Sequence, residues 1–461
     1  MRERVYYRIV VELMSALSIG AADSTKTDND VVLDSRGLPL LPATSLAGVY
    51  RSFFDTKQAQ SIFGDISNTN AGDGGSDRAQ VQVESAVRVY DGEWIGGNST
   101  IAVRDSVSLK GKVAIDKLKF DREAVQAGAR FVTYIEIVDL NRCSCTDIES
   151  AIKALHSGEL CLGSKTTRGF GRLEVVRCQR RGFGERDVDE WLDFDLFSAQ
   201  DSPSWSVADD ITKSIRSDAT FNGVELRLSL ELRGGISIRE YTTEPGDGVN
   251  PYQDYGQMIV HGISDDSALH EDVPVIPGTS WAGAFRERYT AMYGDAGEAR
   301  TRSLFGYVDQ NGGMNQSKKS RITFSESTLR GGEWKVYTRN AIDRFTGGTI
   351  DGALYTERTY YGGTTELVIR IDPYDGLSLD DCRPLVCVLA DLHNGFLAVG
   401  GLTSVGRGLF RIADVTLTVN GVVQDGFATA LLNPADGFAD GALIAPDVDR
   451  AASIMSGKAG R

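Results

Sequence analysis

The sequence has no apolar run long enough to span a membrane, and it contains little cysteine or histidine. Its 461 residues include six cysteines and four histidines, and no run reaches the roughly 18 apolar residues that a membrane helix needs. There is no Cys-x-x-Cys pair, which argues against a zinc site, and so few thiols argue against a disulfide framework. We therefore expect a globular protein of a reducing cytoplasm, with no membrane association and no targeting segment.

A positive net charge is also absent, which by itself argues against nucleic acid as a partner. The chain carries 49 basic and 64 acidic residues, a formal net charge of −15. The acids are unevenly distributed, because residues 182–213 contain nine acids against two bases and the segment after residue 419 adds more Asp. A basic groove can lie on an otherwise acidic body, so net charge does not decide the question.

What the sequence does contain is an internal duplication. Residues 38–51 read LPLLPATSLAGVYR and residues 273–286 read VPVIPGTSWAGAFR, with seven of fourteen positions identical. Residues 154–175 and 391–412 share eight of 22 positions at nearly the same offset. Because order and spacing both hold, the sequence predicts two copies of one domain.

Each copy has the same predicted order of elements. A strand opens each copy, at residues 5–13 and 224–232, and a Pro-x-Thr-Ser block follows in which Thr or Ser is expected to cap a helix. A second helix begins at a capping box over residues 146–149 in copy one and spans roughly 380–393 in copy two. It leads into a glycine-rich loop and a final strand.

This order predicts an α+β protein of two tandem ferredoxin-like domains, the scaffold of RNA-recognition motifs, with inserted hairpins and long loops. The aromatic pair that RNA-recognition motifs use for base stacking is not found, so binding to RNA would work mainly through the backbone. We expect the first domain at 1–181, an acidic connector at 182–220, the second domain at 221–419 and a mobile Ala/Asp/Gly-rich tail at 420–461.

The duplicated motifs resemble a known family. Pro-Gly-Thr-Ser-x-x-Gly-x-x-Arg, followed about 120 residues on by a Gly-x-Gly loop, is similar to the repeat-associated mysterious protein (RAMP) superfamily of CRISPR systems. Copy two also contains a string from Arg339 to Tyr355 that is similar to the RNA-contacting hairpin of type III backbone subunits, and copy one matches it more loosely from Arg104 onward. Two fused copies suggest a double backbone subunit of a type III effector complex.

The resemblance implies a CRISPR-associated role in antiviral defence. A subunit of this kind binds CRISPR RNA, kinks it at regular intervals and, as an endoribonuclease within the complex, cleaves complementary target RNA at the same spacing. The implied partners are CRISPR RNA, single-stranded target RNA and other effector subunits, and the implied cofactor of cleavage is a divalent metal ion such as Mg²⁺, with no organic cofactor. A scaffold without chemistry, a repeat-processing endoribonuclease and a protein-only adaptor are the alternatives.

The RNA-binding candidates are basic and hydroxyl residues of the duplicated motifs. Amides and a hydroxyl at a helix start bind phosphate, an arginine two turns along adds charge, and loop glycines let a backbone approach phosphate closely. The candidates are Ser45, Arg51, Lys165, Thr166, Arg168, Arg172, Ser280, Arg286, Arg339, Arg344 and Arg407. The alternatives are a capped helix with a surface arginine and a purely structural turn.

The first catalytic candidate lies in the loop after the first strand. An Asp before a Val-Val pair makes residues 23–34 resemble the type III catalytic loop, and the resemblance places the catalytic carboxylate at Asp28. The nucleophile would be the target's own 2′-hydroxyl, and the carboxylate either aligns the strand or accepts a proton, directly or through a divalent metal. A turn loop without chemistry is the alternative, because Asp30 and Asp34 lie in the same segment.

Copy two lacks the Val-Val landmark, so its catalytic candidate rests on position alone. Asp254 is the candidate there, and Asp247 is the competitor.

His156 and His393 occupy equivalent positions at the end of the second helix, where a histidine complements the helix dipole. We expect that structural role rather than acid–base catalysis for both histidines.

Overall fold

Two β-sheets with the same strand order organise the chain, one in each half. The computed structural model describes residues 3–21, 26–68, 80–110, 113–199, 202–240, 255–263, 270–294, 297–308, 317–372, 377–432 and 443–457. One unit consists of Met1–Thr166 with Phe170–Phe221, and the other consists of Thr167–Gly169 with Asn222–Arg461. Three loop residues of the predicted first domain, 167–169, therefore belong to the second unit. The segment 182–220 belongs to the first unit, and the segment 420–461 belongs to the second.

The first unit contains β1 (Arg4–Leu13), β2 (Leu40–Leu41), α1 (Ala43–Arg51), α2 (Thr56–Phe63), β3 (Asp65–Asn68), β4 (Gln80–Val83), β5 (Val87–Val89), β6 (Gly92–Gly97), β7 (Ile101–Lys110), β8 (Val113–Val125), β9 (Ala129–Ile137), α3 (Cys145–Ser157), β10 (Leu173–Phe183), α4 (Val188–Leu192), α5 (Pro203–Ser206), β11 (Asp209–Asp210) and α6 (Thr212–Ser217). Its β1 is rich in Val, Ile and Tyr, which favour strands. β1 pairs antiparallel with β10 on one side and with β9 on the other, and β5 and β6 pair with β9. The last strand therefore lies beside the first, and the third and second follow.

The second unit contains β12 (Val224–Arg233), β13 (Gly235–Ile236), β14 (Arg239–Glu240), β15 (Tyr255–Gln257), β16 (Ile259–Ile263), β17 (His270–Ile276), α7 (Gly278–Ala291), α8 (Gly297–Phe305), β18 (Ile322–Phe324), β19 (Ser327–Thr328), β20 (Glu333–Arg339), β21 (Tyr355–Tyr361), β22 (Thr364–Ile371), α9 (Leu379–Asn394), β23 (Leu409–Val419), β24 (Val422–Val423), α10 (Phe427–Leu432) and α11 (Val448–Met455). β12 lies between β23 and β22, and β18 pairs with β22, all antiparallel. Mixed helices and antiparallel sheets confirm the predicted α+β class.

The two sheets share an irregularity as well as an order. The pairing of β1 with β10 shifts register after Val10, so that Val11 lies opposite Val175. The pairing of β12 with β23 shifts after Ser229, so that Leu230 lies opposite Ile412. Val175 and Ile412 are aligned positions of the duplicated block. The same bulge at the same place confirms the duplication at the level of the backbone.

The second helix of each copy is capped in the same way at both ends. Ser144 and Asp147 form a capping box at the start of α3, and Ser378 and Asp381 form one at the start of α9. Both helices end at a glycine in the left-handed conformation, as C-caps commonly do. The predicted box over residues 146–149 was therefore wrong by two residues, because the Ser144 side chain accepts from the Asp147 amide and the Asp147 side chain accepts from the Ser144 amide.

The acidic segment after β10 covers the face of the first sheet that points away from α1 and α3. Successive strand residues point to opposite faces, so Tyr6 and Val10 lie on this face, where Trp205 and Phe194 pack against them. The indole N–H of Trp191 donates to the Tyr6 hydroxyl at 2.9 Å. The expected connector is thus a folded layer of the first unit, because Trp205 is fully buried there and Trp191 and Phe194 are partly buried, despite the acidic composition of the segment.

The expected mobile tail is in fact part of the core of the second unit. Phe427 and Leu431 of α10 and Met455 of α11 are fully buried in the same apolar cluster as the inner face of α9. The expectation was wrong for residues 427–432 and 443–457, because apolar residues at helical spacing stand there among the Ala, Asp and Gly. Among the described residues, no helix has the length and apolar character that crossing a membrane requires.

Candidate nucleic-acid interface

The glycine-rich loops have the same backbone hydrogen bonds in both copies. The Gly171 amide donates to the Ala16 carbonyl at 2.8 Å, and the Gly408 amide donates to the Gly235 carbonyl at 2.8 Å. A side chain on either glycine would collide with backbone, since an added Cβ would lie 1.7 Å from the Leu162 carbonyl oxygen or 1.9 Å from that of Val399. The closing glycines are therefore required by close backbone approach.

Each loop holds one non-glycine residue in the left-handed region. Lys165 has φ 58° and Leu402 has φ 56°, and each carbonyl accepts from the amide five residues later, from Phe170 and Arg407 respectively, at 3.4 Å. Strained backbone of this kind is concentrated at functional sites. The two loops are equivalent in conformation, but only the first places a lysine at the strained position.

The basic residues of the first loop differ in their surroundings. Lys165 is exposed, and its Nζ lies 5.3 Å from the ring centroid of Phe120 on β8. Thr166 begins a single 3₁₀ turn that ends at Arg168 and is partly buried. Arg172 lies beside Glu174 of β10, with its Nη2 3.3 Å from the carboxylate. Lys165 is therefore the residue of this loop that is best placed to reach a ligand in solution.

The structure brings two predicted arginines together in the second unit. Burial, and then the guanidinium of Arg286, lower the pKa of Arg168, and the Arg168 Nη1 has no hydrogen-bond partner. Within the described ranges, neither side chain forms an ion pair with a carboxylate. Two neighbouring guanidinium groups without a counter-ion make a site for an anion.

Backbone packing explains why the second copy reads Pro-Gly-Thr-Ser where the first reads Pro-Ala-Thr-Ser. A Cβ on Gly278 would lie 2.2 Å from the Arg168 carbonyl oxygen and 2.4 Å from that of Phe324. The aligned position in α1, Ala43, has a side chain. The glycine therefore lets residue 168 approach the start of α7.

The hydroxyl residues at the two helix starts do not cap their helices. Pro42 and Pro277 are the N-cap residues of α1 and α7, and neither cap includes a side-chain hydrogen bond. Ser45 and Ser280 lie in the first turn and are partly exposed. The expectation that Thr or Ser caps these helices was wrong, because each N-cap is the proline two residues before the Thr of the block.

Arg51 has a structural contact of its own at the other end of α1. Its Nη1 donates to the Gly64 carbonyl at 2.8 Å, where α2 ends. Gly64 closes the Ser-Ile-Phe-Gly segment, whose aligned counterpart ends at Gly306. Among the described residues, Arg286 has no matching bond to Gly306. Arg286 is therefore the freer of the two aligned arginines.

The hairpin of the second unit exposes a basic and aromatic tip. β20 pairs with β21 in register, and Arg339 closes the pairing opposite Tyr355. The turn beyond it is held by Asp343, whose carboxylate accepts from the Phe345 amide at 2.7 Å and the Thr346 amide at 2.9 Å. Phe345 is 99% exposed, and Arg344 beside it is also exposed. An ordered turn thus presents an aromatic ring and a cation to solvent.

Arg407 does not have the exposure that a direct RNA contact needs. It is 3% exposed, and its two Nη atoms lie 3.0 and 2.5 Å from the two oxygens of Glu357, which is 1% exposed. The prediction of a direct contact is corrected here, because a loop sequence does not show which of its arginines turns inward. Arg339 is 3.1 Å from the same carboxylate and keeps partial exposure.

Of the three described carboxylates in the candidate catalytic loop, which belong to Asp28, Asp30 and Asp34, only that of Asp28 is exposed without serving the loop itself. The buried Asp30 carboxylate accepts from the Lys26 and Thr27 amides at 3.0 and 2.8 Å. The Asp34 carboxylate accepts from the Arg36 and Leu38 amides at 2.8 and 2.9 Å. These hydrogen bonds, and the one from Leu38 most of all, lower the pKa of Asp34. Both therefore form the turns that the alternative interpretation described.

Asp28 instead reaches a second carboxylate that the sequence did not indicate. Its amide donates to the Asp121 carboxylate at 2.9 Å, and the Asp121 amide donates to the Asp28 carboxylate at 3.0 Å. Asp121 lies on β8, 93 residues away in the chain. No signal in one sequence would have linked it to Asp28, because the pairing depends on the edge of a long strand.

The candidate catalytic loop and the first glycine-rich loop meet at Ser18. The Ser164 amide donates to the Ser18 carbonyl at 2.9 Å, and the Asn29 side-chain amide lies 3.5 Å from the Ser18 hydroxyl. Arg122, next to Asp121 on β8, donates from Nη1 to the Ser164 hydroxyl at 3.3 Å. The structure therefore brings the Asp28 loop, the strand β8 and the Lys165 loop into one neighbourhood.

The catalytic candidate of copy two lies outside the described residues. Asp254 and its competitor Asp247 both belong to the range 241–254, of which the structure describes nothing. The candidate site of carboxylates is thus defined in the first copy.

Both helix-end histidines are neutral structural groups. The Val175 amide donates to His156 Nδ1 at 3.1 Å, and burial lowers the pKa of His156. Burial likewise lowers the pKa of His393, which has a backbone hydrogen bond with Ile412, the residue aligned with Val175. For His156, the expected structural role is therefore that of an acceptor for a strand amide and not that of a cation at the helix end.

The carboxylate pair fits a divalent cation only in part. Within the described ranges, no group of three or more His, Cys, Asp or Glu side chains has the arrangement of a metal site. Mg²⁺, however, usually takes one or two protein carboxylates together with substrate phosphate and water. Asp28 and Asp121 are the residues that would hold such an ion. Each would use the carboxylate oxygen that does not accept from the other residue's backbone amide.

Comparison with known proteins decides the family. A model of the RAMP superfamily matches residues 10–174 and residues 259–411, which together are more than half of the chain. The chain belongs to the RAMP superfamily. One matched region falls in each half, so this RAMP chain contains two fused copies, as the duplication predicts.

Among solved structures, the RAMP chain is similar to a chain of the type III-B Cmr-beta complex, determined by cryo-EM with cognate target RNA bound. The two are 16% identical, with a TM-score of 0.30, and the similarity covers 39% of this chain and 61% of that one. The match therefore spans less than two thirds of the Cmr-beta chain. No curated protein matches the sequence.

Proposed function

We propose that this RAMP chain is a double backbone subunit of a type III CRISPR–Cas effector complex in the cytoplasm. It binds CRISPR RNA through two ferredoxin-like modules and cleaves complementary target RNA within the complex. The observation that carries the proposal is the repeated geometry of the glycine-rich loops, because each RAMP module has the same strained position and the same closing glycine. The strand order last, first, third, second in both sheets supports the ferredoxin-like assignment.

The RNA backbone is held by cations from both copies. Arg168 and Arg286 bind a phosphate, since two guanidinium groups side by side are stabilised by an anion between them. Lys165 binds a second phosphate beside Phe120, and Arg344 with Phe345 contacts the RNA at the hairpin tip. Arg51, Arg172 and Arg339 strengthen the positive potential while keeping their intramolecular partners. The −15 net charge then belongs to surfaces that RNA does not touch.

Cleavage takes place at Asp28. The target's 2′-oxygen forms a bond to the adjacent phosphorus while the bond from phosphorus to the 5′-oxygen breaks. The departing 5′-oxygen takes a proton from water, so the products are a cyclic phosphate and a 5′-hydroxyl. The Asp28 carboxylate accepts the proton of the 2′-hydroxyl, and Lys165 and Arg122 stabilise the charge that develops on the phosphate oxygens. Mg²⁺ held by Asp28 and Asp121 supplies additional charge stabilisation when it is bound.

A scaffold that binds RNA without cutting it is the second candidate. The reciprocal hydrogen bonds of Asp28 and Asp121 favour it, because each carboxylate already holds a backbone amide and so accounts for its presence structurally. The repeat-processing endoribonuclease loses support, since His156 Nδ1 is occupied by an amide and the ring is neutral.

The proposal is tested on the complex isolated from its host. Its ratio of ultraviolet absorbances and the gel mobility of extracted nucleic acid should reveal RNA of uniform length, and complementary labelled target RNA should be cut at regular intervals. Uniform RNA without any cutting supports the scaffold instead. A chain that purifies without RNA, and whose RNA affinity is absent at every salt concentration, contradicts both.

A further inference from the structure

The two modules differ sharply at one equivalent place beneath their glycine-rich loops. The loop hydrogen bonds align Ala16 with Gly235 and Phe170 with Arg407, and the pairing of Leu17 with Val125 matches that of Ile236 with Tyr360. Positions 124 and 126 of the first module therefore correspond to Thr359 and Tyr361 of the second. These alignments allow the two places to be compared residue by residue.

In the first module this place is a small apolar cluster. Ala16, Ala124 and Phe170 are buried against one another. The aligned residues of the second module are Gly235, Thr359 and Arg407, and Arg407 forms its bidentate ion pair with Glu357 there. A buried ion pair rarely gives more stability than apolar packing of similar volume. Stability alone therefore does not explain the exchange, which directs attention to the side chains that the ion pair positions.

The ion pair is the base of an aromatic and cationic strip on β20 and β21. The ring of Tyr361 lies on Gly235, where an added Cβ would be 2.7 Å from its Cζ atom. Tyr337 meets it edge-on with centroids 5.9 Å apart. Lys335 Nζ lies 4.9 Å from the Tyr361 centroid, and the Arg339 guanidinium lies 5.3 Å from that of Tyr337. We name Lys335, Tyr337, Arg339 and Tyr361 the tyrosine strip.

The register places the members of the tyrosine strip on one face of the hairpin. Lys335, Tyr337 and Arg339 alternate along β20, so their side chains share a face. Arg339 pairs with the buried Glu357, whereas the ion pair of Lys335 within the described residues is with the exposed Glu333, 2.6 Å from its Nζ. All four members are partly exposed. The two tyrosine rings lie above the buried Arg407–Glu357 ion pair, with Lys335 in an exposed ion pair and Arg339 paired to the buried Glu357. This surface can accept a ligand that combines a flat ring with a negative charge.

We propose that the tyrosine strip of the second module stacks a base of single-stranded RNA. The proposal rests on the RNA-binding function proposed above and specifies a mode of recognition beyond the phosphate backbone. The base lies against the Tyr361 and Tyr337 rings, while Lys335 leaves Glu333 for the flanking phosphate and Arg339 remains beside the ring. Aromatic side chains with adjacent cations are the elements by which proteins bind single strands without reading sequence.

The test compares RNA with and without its bases. The purified full chain is titrated with a fluorescently labelled single-stranded RNA of mixed sequence and with the same RNA carrying abasic sites, by fluorescence anisotropy over a range of salt concentrations. For intact RNA, Tyr361→Leu and Tyr337→Leu should each weaken binding by roughly 5- to 150-fold, the range expected when one base no longer stacks. For abasic RNA, variants and the unchanged chain should bind equally. The salt dependence should stay the same, because the same cations still neutralise the phosphates.

Conservative and distant variants guard against loss of folding. Tyr361→Phe and Tyr337→Phe keep the rings and should retain most of the affinity for intact RNA, and Phe396→Leu, at a 60% exposed aromatic outside the strip, should change nothing. Leu variants that bind intact RNA as the unchanged chain does, or that lose intact and abasic RNA equally, overturn the stacking proposal alone. Failure of the unchanged chain to bind either RNA overturns the RNA-binding function as well.

Discussion

Asp28 and Asp121 hold each other in place, each donating its backbone N–H to the other's carboxylate, at 2.9 and 3.0 Å. The two residues are far apart in the chain, and the double bond ties the candidate catalytic loop to the edge of β8. This pairing fixes one oxygen of each carboxylate and leaves the loop anchored next to Arg122. Because a neutral side-chain oxygen at position 28 could also accept from the Asp121 amide, the negative charge of Asp28 and its hydrogen bond can be tested separately.

We predict that Asp28→Asn abolishes cleavage but preserves the loop. The asparagine oxygen still accepts from the Asp121 amide, whereas the side chain can no longer take a proton, so cleavage should fall by about 10²- to 10⁴-fold. Single-turnover cutting of labelled target RNA by the assembled complex measures the effect, and guide RNA content should not change. Asp34→Asn is the matched control, because that carboxylate only holds its own turn. Undiminished cutting by Asp28→Asn, with any second site mapped and intact, would leave only the scaffold function.

The neighbouring guanidinium groups of Arg168 and Arg286 should contribute to affinity and not to stability. Replacing either with Gln removes a like-charge repulsion, so the midpoint of thermal unfolding should stay the same or rise. Binding to single-stranded RNA should weaken, and the slope of log K against log salt should fall by about 0.7 for each phosphate that is no longer neutralised.

Arg383→Gln is the control for these two arginines. Arg383 is an exposed arginine of α9 that pairs with Asp449, and its replacement should leave the salt slope unchanged. Arg168→Gln and Arg286→Gln variants with the salt slope of the unchanged chain would show that the pair does not bind phosphate.

Arg407, unlike Arg168 and Arg286, should contribute to the stability of the fold. Arg407→Ala leaves the Glu357 carboxylate buried with one partner fewer, and removal of one member of a buried pair costs about 3–5 kcal/mol of folding free energy. Urea unfolding of the full chain, followed by fluorescence, measures the loss. Arg344→Ala, at the exposed hairpin tip, should change stability by no more than about 0.5 kcal/mol. Equal stability of the two variants would contradict the assigned burial of Arg407.

The contrast between Arg407 and Arg344 shows what could be read from the sequence. Alternation in residues 224–232 gave the first strand of the second copy almost to the residue, and the two aligned blocks gave the duplication, because both signals are local. The identity of the RAMP family followed from the same blocks. Whether a loop arginine turns inward depends on a carboxylate about 50 residues away, and no local pattern encodes that.

Four other features escaped prediction for related reasons. The composition of the acidic segment 182–220 predicts a connector and that of the tail predicts a mobile segment, but a few well-placed aromatic and apolar residues pack the described parts of both into their units. Asp121 and the tyrosine strip arise from strand pairing, which joins distant parts of the chain. Of the candidate catalytic loop, the sequence indicated the position of the carboxylate but not its partner.

The helix-end histidines should make stability depend on pH. Burial lowers the pKa of His156 and His393 in the folded state, so the unfolded chain binds more protons below the ordinary histidine pKa of about 6.5. Their stabilising contribution is thus complete above about pH 6.5 and is lost as the pH falls through the lowered values. The double variant His156→Gln, His393→Gln should show a flatter pH profile of the urea midpoint. A profile as steep as that of the unchanged chain would contradict this assignment.

Mapping of photo-crosslinks between the chain and its RNA tests the central claim most directly. The complex is isolated with its RNA, irradiated, digested, and the linked peptides are identified by mass spectrometry. Two RNA-binding RAMP modules predict links in both halves, at the loop containing Lys165 and at the hairpin containing Phe345 and Tyr361. Links confined to one half, or none in a complex that retains its other subunits, would contradict the account.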